Sequence, residues 1–516
     1  MNDKTGGGGG PRRAAAALAV VAAVAVLTGC GAKSSPSADS VLTGPAAYQV
    51  QLAFARCMQT HGVPDFPDPN PSRDTSISGH PQAGTPAARA YDACQHLLPT
   101  AGTDTGSGTA SVAAGPAAMA CLGSVPCYTP QRFRVAYGIA PLVDRGIDGR
   151  GITVALPEQA ETGPAHTPAV TDIRQDLADF DSRFGLPPVQ LQVTTTVAGS
   201  SASPWLASEE EVVDTELVHA VAPDAAIREI LVATAAVSTP AKLAATFAAY
   251  VRIAVRYGQV MSQSGIGQDF NLGEDSWTSA EVATMNSALE YAAARHVTVV
   301  AAAGDEGVLG NGSSTPVKQV ILPSSDPLIL AVGGTSLTAN PQTGAYISET
   351  AWNTLPGLPS SGGNTDGSGG GFSRLFPRPA YQDGVPGIGA MRGMPDVAAD
   401  ASGTTGMAVA FAETGGGYEL VGAGGTSAGA PFWAGLIALA DQEAGHPLGF
   451  VNPAIYQIAR GPQYHQAFHD VTTGTNTTVL TSPSATITGY QAGPGWDPVT
   501  GWGTPDAQVL VPLLAR

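Results

Sequence analysis

The sequence predicts an α/β fold: a mostly parallel sheet with helices on both faces, preceded by a small cysteine-tied helical module. Three observations carry this. Short apolar runs, "GITVALP" at 151–157, "VTVVAAAGD" at 297–305 and "LILAVGG" at 328–334, read as buried strands. Between them lie helical patterns, "PAVTDIRQDLADFDSRFG" at 168–185 and "SAEVATMNSALEYAAARH" at 279–296. Strand–helix alternation is the signature of a parallel sheet, whose functional loops lie beyond the carboxyl ends of the strands.

The segments ahead of that domain follow in order. Residues 1–29 read as a signal peptide. Lys4, Arg12 and Arg13 precede the short apolar run "AAAALAVVAAVAV", which ends in "LTGC". That ending resembles a bacterial lipobox and makes Cys30 the candidate lipidation site. The plainer reading of the same run is an ordinary secretory signal. The lipobox predicts an exported, extracytoplasmic chain anchored by lipid to the bacterial cell membrane. Residues 30–47 read as a flexible tether. Residues 48–99 form a small module with helical ends, too small to be stable without a cross-link. Residues 100–120 are a Gly/Thr/Ser/Ala-rich linker, and 121–516 is the α/β domain. With Cys30 lipidated, Cys57, Cys94, Cys121 and Cys127 remain as disulfide candidates in an exported chain. Four cysteines permit three pairings, and proximity favours Cys57–Cys94 and Cys121–Cys127.

The formal charge of the 516-residue chain is −18, from 24 basic and 42 acidic residues. This excludes nucleic acid as a partner, since its binders carry basic patches. An acidic chain with so few bases suits low pH, where protonation relieves carboxylate repulsion.

The candidate nucleophile is Ser427, set among small residues in "GAGGTSAGAPFWAGLIALA" just ahead of an apolar run. A serine hydroxyl needs a neighbouring base before it attacks. None of the nine histidines sits in a recognisable catalytic context. Gly425-Thr426-Ser427-Ala428-Gly429 does match G-x-S-x-G, the nucleophile elbow of esterases, with His446 or His469 downstream. Only 89 residues follow Ser427, however, which is cramped for the acid and histidine of that order.

The acid-rich stretch "SEEEVVDTELVHAVAPDA" offers a different base. Five carboxylates fall between Glu209 and Glu216, with Val212, Val213, Leu217, Ala220 and Val221 forming an apolar stripe at helical spacing. Such a run is ordinarily a solvated face. Here no Lys or Arg occurs between Arg183 and Arg228 to neutralise it. Glu210 and Asp214 are four apart and share a helix face. Two close carboxyls resist ionising together, so one is held protonated into a higher pH range. A glutamate tuned in this way serves as a base in acid, where histidine is charged. Asp305 directly follows a buried strand, where a protonated carboxyl can donate to an oxyanion.

Taken in order, these blocks resemble the sedolisins, or serine-carboxyl peptidases, of the kumamolisin type, across nearly all of 128–516. "EEVVDTELVHAVAPDA", "VTVVAAAGDEG", "SGGGFSRLFPRPAYQ", "MPDVAADA", "GGTSAGAPFWAGLIAL", "FHDVTTG" and "QAGPGWDPVTGWGTP" carry the likeness. The resemblance implies a subtilisin-like sheet and peptide-bond hydrolysis through an acyl-enzyme, fastest in acid. It implies Ser427 as nucleophile, Glu210 as general base, Asp214 as its orienting partner and Asp305 at the oxyanion. It also implies one structural Ca²⁺, held by the carboxylates of Asp470 and Asp497 and the carbonyls of Val471, Gly493 and Gly495. Protein or peptide substrates would be the partners. The chain departs from the family in three places. A disulfide-tied module stands where a large pro-domain is usual. The tryptophan of the Ser-x-Ser-Trp-Gly segment is missing from "MSQSGIGQD". The family glutamate after the first strand is either Glu158 or absent. These departures leave a second expectation, a catalytically weak or inactive peptide-binding lipoprotein. The histidine-dependent G-x-S-x-G esterase is a third.

Overall fold

The computed structural model of the chain describes residues 121, 127–160, 170–195, 204–233, 239–265, 272–309, 317–354, 365–413, 418–481 and 484–516. The predicted signal peptide, tether, module and linker, with Cys30, Cys57 and Cys94, lie outside these residues. Cys121 and Cys127 are bridged.

The elements that frame the site are α1 (Pro130–Ala136), α2 (Ala140–Asp144), β1 (Thr153–Ala160), β2 (Val170–Asp172), α3 (Ile173–Phe184), β3 (Gln190–Thr195), β4 (Leu206–Ser208), α4 (Glu209–Val221), β5 (Ala226–Ala233), α5 (Pro240–Tyr257), β6 (Val260–Gln263), α6 (Ser279–Ala293), β7 (Thr298–Ala302), β8 (Leu330–Ala339), β9 (Tyr346–Ala351), β10 (Gly371–Pro377), β11 (Met391–Met394), β12 (Val397–Asp400), β13 (Ala408–Ala412), β14 (Tyr418–Gly422) and α7 (Gly425–Ala444). Strands β12-β8-β7-β6-β1-β5-β3 form the central sheet in that spatial order, with β9 beside β8. Every pair in it is parallel except β8–β9. This is the predicted α/β fold.

Strand residues alternate between two apolar layers, as a pleated strand requires. Val154, Leu156, Ile227, Val260 and Val300 pack on one face against residues of α4 and α7. Ala155, Ile230, Met261, Val299 and Ala301 pack on the other against α5 and α6. The same parity assigns Glu158, Glu229, Ser262 and Ser264 to the α4/α7 face.

Local chemistry sets the helix ends. Ser208 caps α4, its hydroxyl accepting from the Glu211 amide at 3.3 Å. Thr278 and Glu281 form a capping box on α6. Gly445, at φ 74°, closes α7 in the left-handed conformation. The stretch 168–185, expected to be one helix, divides instead. Val170–Asp172 pair with β4, and the helix starts at Ile173. Two β-branched residues favour the extended state, and the Asp172 carboxylate accepts from the Arg174 amide as an N-cap.

α4 and α7 meet closely at Gly435. A Cβ there would lie 2.8 Å from Val221 Cβ, so only glycine permits this approach. Trp433, fully buried in α7, donates to the Ala398 carbonyl of β12 at 2.9 Å and ties the helix to the sheet.

Candidate active site

α4 carries Glu210 and Asp214, and α7 carries Ser427 as its third residue. Their close packing brings the two helix starts together at the carboxyl ends of β1, β6 and β7. Ser427 is only partly buried, while Thr426 and Ala428 on either side are buried. The Glu210 carboxyl lies beside the Ser427 side chain. Burial pushes Glu210 up to about 7, and the Asp305 and Glu209 charges add to this; the interaction with Ser427 opposes it.

Asp214, one turn along the same face, is 1% exposed. Burial and then the Glu210 charge raise it well above the carboxylate range. Ser264 and Glu158 hydrogen-bond it and work in the opposite direction. Glu158, from the carboxyl half of β1, is itself raised well above the ordinary range by burial, then by Asp214, Glu211, Glu210 and Glu229. Glu158 thus stands behind Asp214. Burial and mutual repulsion oppose ionisation of all three carboxyls at once, so protons are retained within the group.

Asp305 lies on the other side of Ser427. Its Oδ1 accepts from the Thr426 amide and hydroxyl, both at 2.7 Å. The Thr426 hydroxyl in turn accepts from the Gly304 amide at 3.0 Å. Burial raises Asp305, and the two bonds from Thr426 pull against it. Gly425 has φ +77°, and a Cβ on it would lie 2.7 Å from Asp305 Oδ2. The aspartate therefore fits directly against the start of α7, where the helix dipole favours an oxyanion.

Two contributors escaped sequence reasoning. The Ser264 hydroxyl donates to the Ser427 carbonyl at 3.0 Å and also interacts with Asp214, linking the backbone of Ser427 to α4. Thr426 holds Asp305. Ser264 lies in "MSQSG", the segment singled out for its missing tryptophan, and Thr426 is the x of G-x-S. Both were in view, but hydroxyls are too common to be singled out by residue type.

The histidines stand apart. His446 lies past the far end of α7, roughly 25 Å along the helix from Ser427 at 1.5 Å per residue. It is exposed there, with Nδ1 beside the Pro447 carbonyl. The ring of His469 stacks on Tyr346 at 3.7 Å, and burial lowers it to about 4.

The expected calcium residues converge on one loop cluster. Asp470 accepts from the Gly495 amide with both oxygens at 3.1 Å. Asp497 accepts from the amides of Gly493, Val499 and Thr500. The Thr500 hydroxyl reaches both Asp497 Oδ2, at 2.9 Å, and the Val471 carbonyl, at 3.4 Å. Among the described residues no three acidic, histidine or cysteine side chains cluster as metal ligands. Asp470 and Asp497 bring two carboxylates to this cluster, oxygen donors of the kind a hard cation takes.

Comparison with known proteins places this arrangement. No family model matches the chain. It is 36% identical over 404 residues to kumamolisin of Bacillus sp. (strain MN-32), covering 75% of the chain and 64% of that protein. It is 34% identical over 265 residues to tripeptidyl-peptidase 1 of Macaca fascicularis, covering 47% of the chain and 41% of that protein. The human protein of the same name is 33% identical over 265 residues. The chain thus spans slightly under two thirds of kumamolisin's length. Among solved structures it is similar to Pseudomonas sedolisin (serine-carboxyl proteinase) complexed with two molecules of pseudo-iodotyrostatin. There the TM-score is 0.61 and the identity 28%, over 75% of this chain and 98% of that one. With a parallel sheet of this kind, and kumamolisin and sedolisin both similar over 75% of its length, the chain belongs to the sedolisin, or serine-carboxyl peptidase, family and carries a kumamolisin-like domain.

Proposed function

We propose that the chain is an acid-active serine-carboxyl endopeptidase. The observation that carries this reading is the placement of the Glu210 carboxyl beside Ser427, backed by Asp214 and Glu158 and faced by Asp305. Ser427 Oγ attacks the peptide carbonyl as its proton passes to Glu210. Asp214, still protonated, donates to Glu210 and orients it. The negative charge on the carbonyl oxygen is met by the Asp305 carboxylic acid and the backbone N–H of Ser427. Glu210 then returns its proton to the departing amine, leaving an acyl-enzyme. Water repeats the sequence in reverse roles and frees Ser427.

The pH dependence follows from two opposite demands. Glu210 must be ionised and Asp305 protonated. Activity requires Glu210 ionised while Asp305 and the donors behind Glu210, Asp214 and Glu158, keep their protons, which gives a bell-shaped profile; we expect it on the acid side of neutrality from the likeness to the serine-carboxyl peptidases. The test is hydrolysis of an unfolded protein and a quenched peptide library by residues 31–516. Turnover that is lost in Ser427→Ala supports the reading. Peptide binding that survives Ser427→Ala, with no turnover by the parent, would establish the binding-protein alternative instead.

In the same reading, one Ca²⁺ is held by Asp470, Asp497 and the carbonyls of Val471, Gly493 and Gly495. It supplies rigidity to the loops after Ser427 and no chemistry. Export and anchoring through a lipid on Cys30 complete the proposal, and metabolic labelling with a fatty acid, compared with Cys30→Ala, tests that part.

A further inference from the structure

A second carboxyl pair lies behind the tetrad, and the reaction as written does not use it. Glu211 follows Glu210 on α4, and Glu229 lies on the sheet face that α4 covers. Both are 0% exposed, and their carboxyls lie close enough to interact directly. Thr215, one turn further along α4, donates its hydroxyl to Glu229 Oε1 at 3.1 Å. Two buried carboxyls in contact do not both ionise readily, so they hold a proton between them.

The groups that face the pair come from each element packed around it. Glu158 of β1 interacts with both members of the pair and Tyr250 of α5 with Glu211, while Glu210 and Asp214 of α4 act on the same Glu158. Leu156 and Val193 flank Glu229 on the neighbouring strands. Arg228, the nearest base in sequence, turns to the opposite face. It bonds Thr194 and lies over the Tyr257 ring. The pair is therefore surrounded by acids and neutral groups. A negative charge held on it opposes ionisation of Glu158, the group that bonds Asp214.

We infer that Glu211 and Glu229 are positioning residues, a one-proton carboxyl pair whose remaining charge keeps Glu158 protonated so that it goes on supporting Asp214 and Glu210 as the pH rises. This rests on the reading of Glu210 as the base. It adds a third tier to the carboxyl line: Glu210 with Asp214, then Glu158, then Glu211 with Glu229.

The test compares E211Q, E229Q and E211Q/E229Q. Each single variant keeps one ionisable carboxyl against an amide donor, and so keeps the charge. The double variant keeps the shape and removes the charge. The singles should follow the parent pH profile of kcat/KM. The double should fold, with its basic limb moved down by on the order of half a pH unit or more. Melting curves give a second readout. Burial raises Glu229 to about 7, so parent stability is lost as the pH rises toward 7. The double should lose less over that range. An E211L/E229L variant removes the same charge without a buried polar group, and carries the test if the glutamine pair misfolds. A folded double with an unshifted limb would overturn the inference, as would singles shifted as far as the double. E210Q assayed alongside separates the two failures. If E210Q is inactive and the double unshifted, only the role of the pair falls. If E210Q is active, the base assignment falls, and the pair's role with it.

Discussion

Gly425 shows how closely the surroundings of Ser427 are fitted. Its φ of +77° and the 2.7 Å approach to Asp305 Oδ2 leave no room for a side chain. Gly425→Ala should cost about 1–3 kcal/mol of stability from backbone strain. It should also lower kcat at least about tenfold by displacing Asp305, since small misplacements at a reacting centre are costly. Melting and steady-state kinetics read the two effects separately. Ser427→Ala should lose activity by on the order of 10⁴-fold or more while melting like the parent. At this scale the sequence was most legible where residue types were unusual. Acids uncompensated by any base marked Glu210 and Asp214, and a carboxyl directly after a buried strand marked Asp305. Glu158 stayed open because its partner Asp214 lies on another element, reached only when α4 packs over β1. Ser264 and Thr426 stayed hidden because their role comes entirely from where the fold puts common hydroxyls.

Elements are held in register by buried carboxyls as well as by apolar packing. The β13–β14 hairpin pairs in register and leads directly into α7. The outward amides of β13 are taken by two neighbouring helices. Ala410 donates to Glu216 of α4 at 2.8 Å, and Ala412 donates to Asp176 of α3 at 2.6 Å. The hairpin that leads into Ser427 is thereby docked to the helix that carries Glu210. Glu216→Ala should leave a buried amide unsatisfied and cost about 1–3 kcal/mol. Glu216→Gln keeps an acceptor and should restore most of the loss; denaturant unfolding of the three proteins checks this. Helix existence was legible from apolar spacing. The division of 168–185 was not, because the β2 pairing depends on β4, more than thirty residues later in the chain. The order of strands in the sheet was equally out of reach, since every parallel pairing joins distant segments.

Across the whole domain, acids are buried with little compensation. Glu158, Asp214, Glu216, Glu349 and Asp400 are all 7% exposed or less, and each is raised by burial first. Asp400 is pushed up to about 8. An acid raised in the folded state binds more protons there than in the unfolded chain. Its stabilisation is complete below the unfolded value near 4 and is lost as the pH climbs through the folded value. Stability should therefore peak near pH 4–5 and decline toward pH 8, so that Tm falls by several degrees over that interval. A flat or rising Tm would contradict the burial argument. The proposed Ca²⁺ would act at the same scale, because it would clamp loops distant in sequence. Chelation with EGTA should lower Tm at pH 6, and excess Ca²⁺ should restore it, by mass action on the folded state.

The most direct test of the central claim is the pH–rate profile of kcat/KM from pH 2.5 to 8.5 for the parent and Glu210→Gln. The account predicts a bell on the acid side of neutrality that disappears in Glu210→Gln, because Ser427 has then lost its base. Activity confined to neutral pH and surviving in Glu210→Gln would contradict it and return the role of base to a histidine.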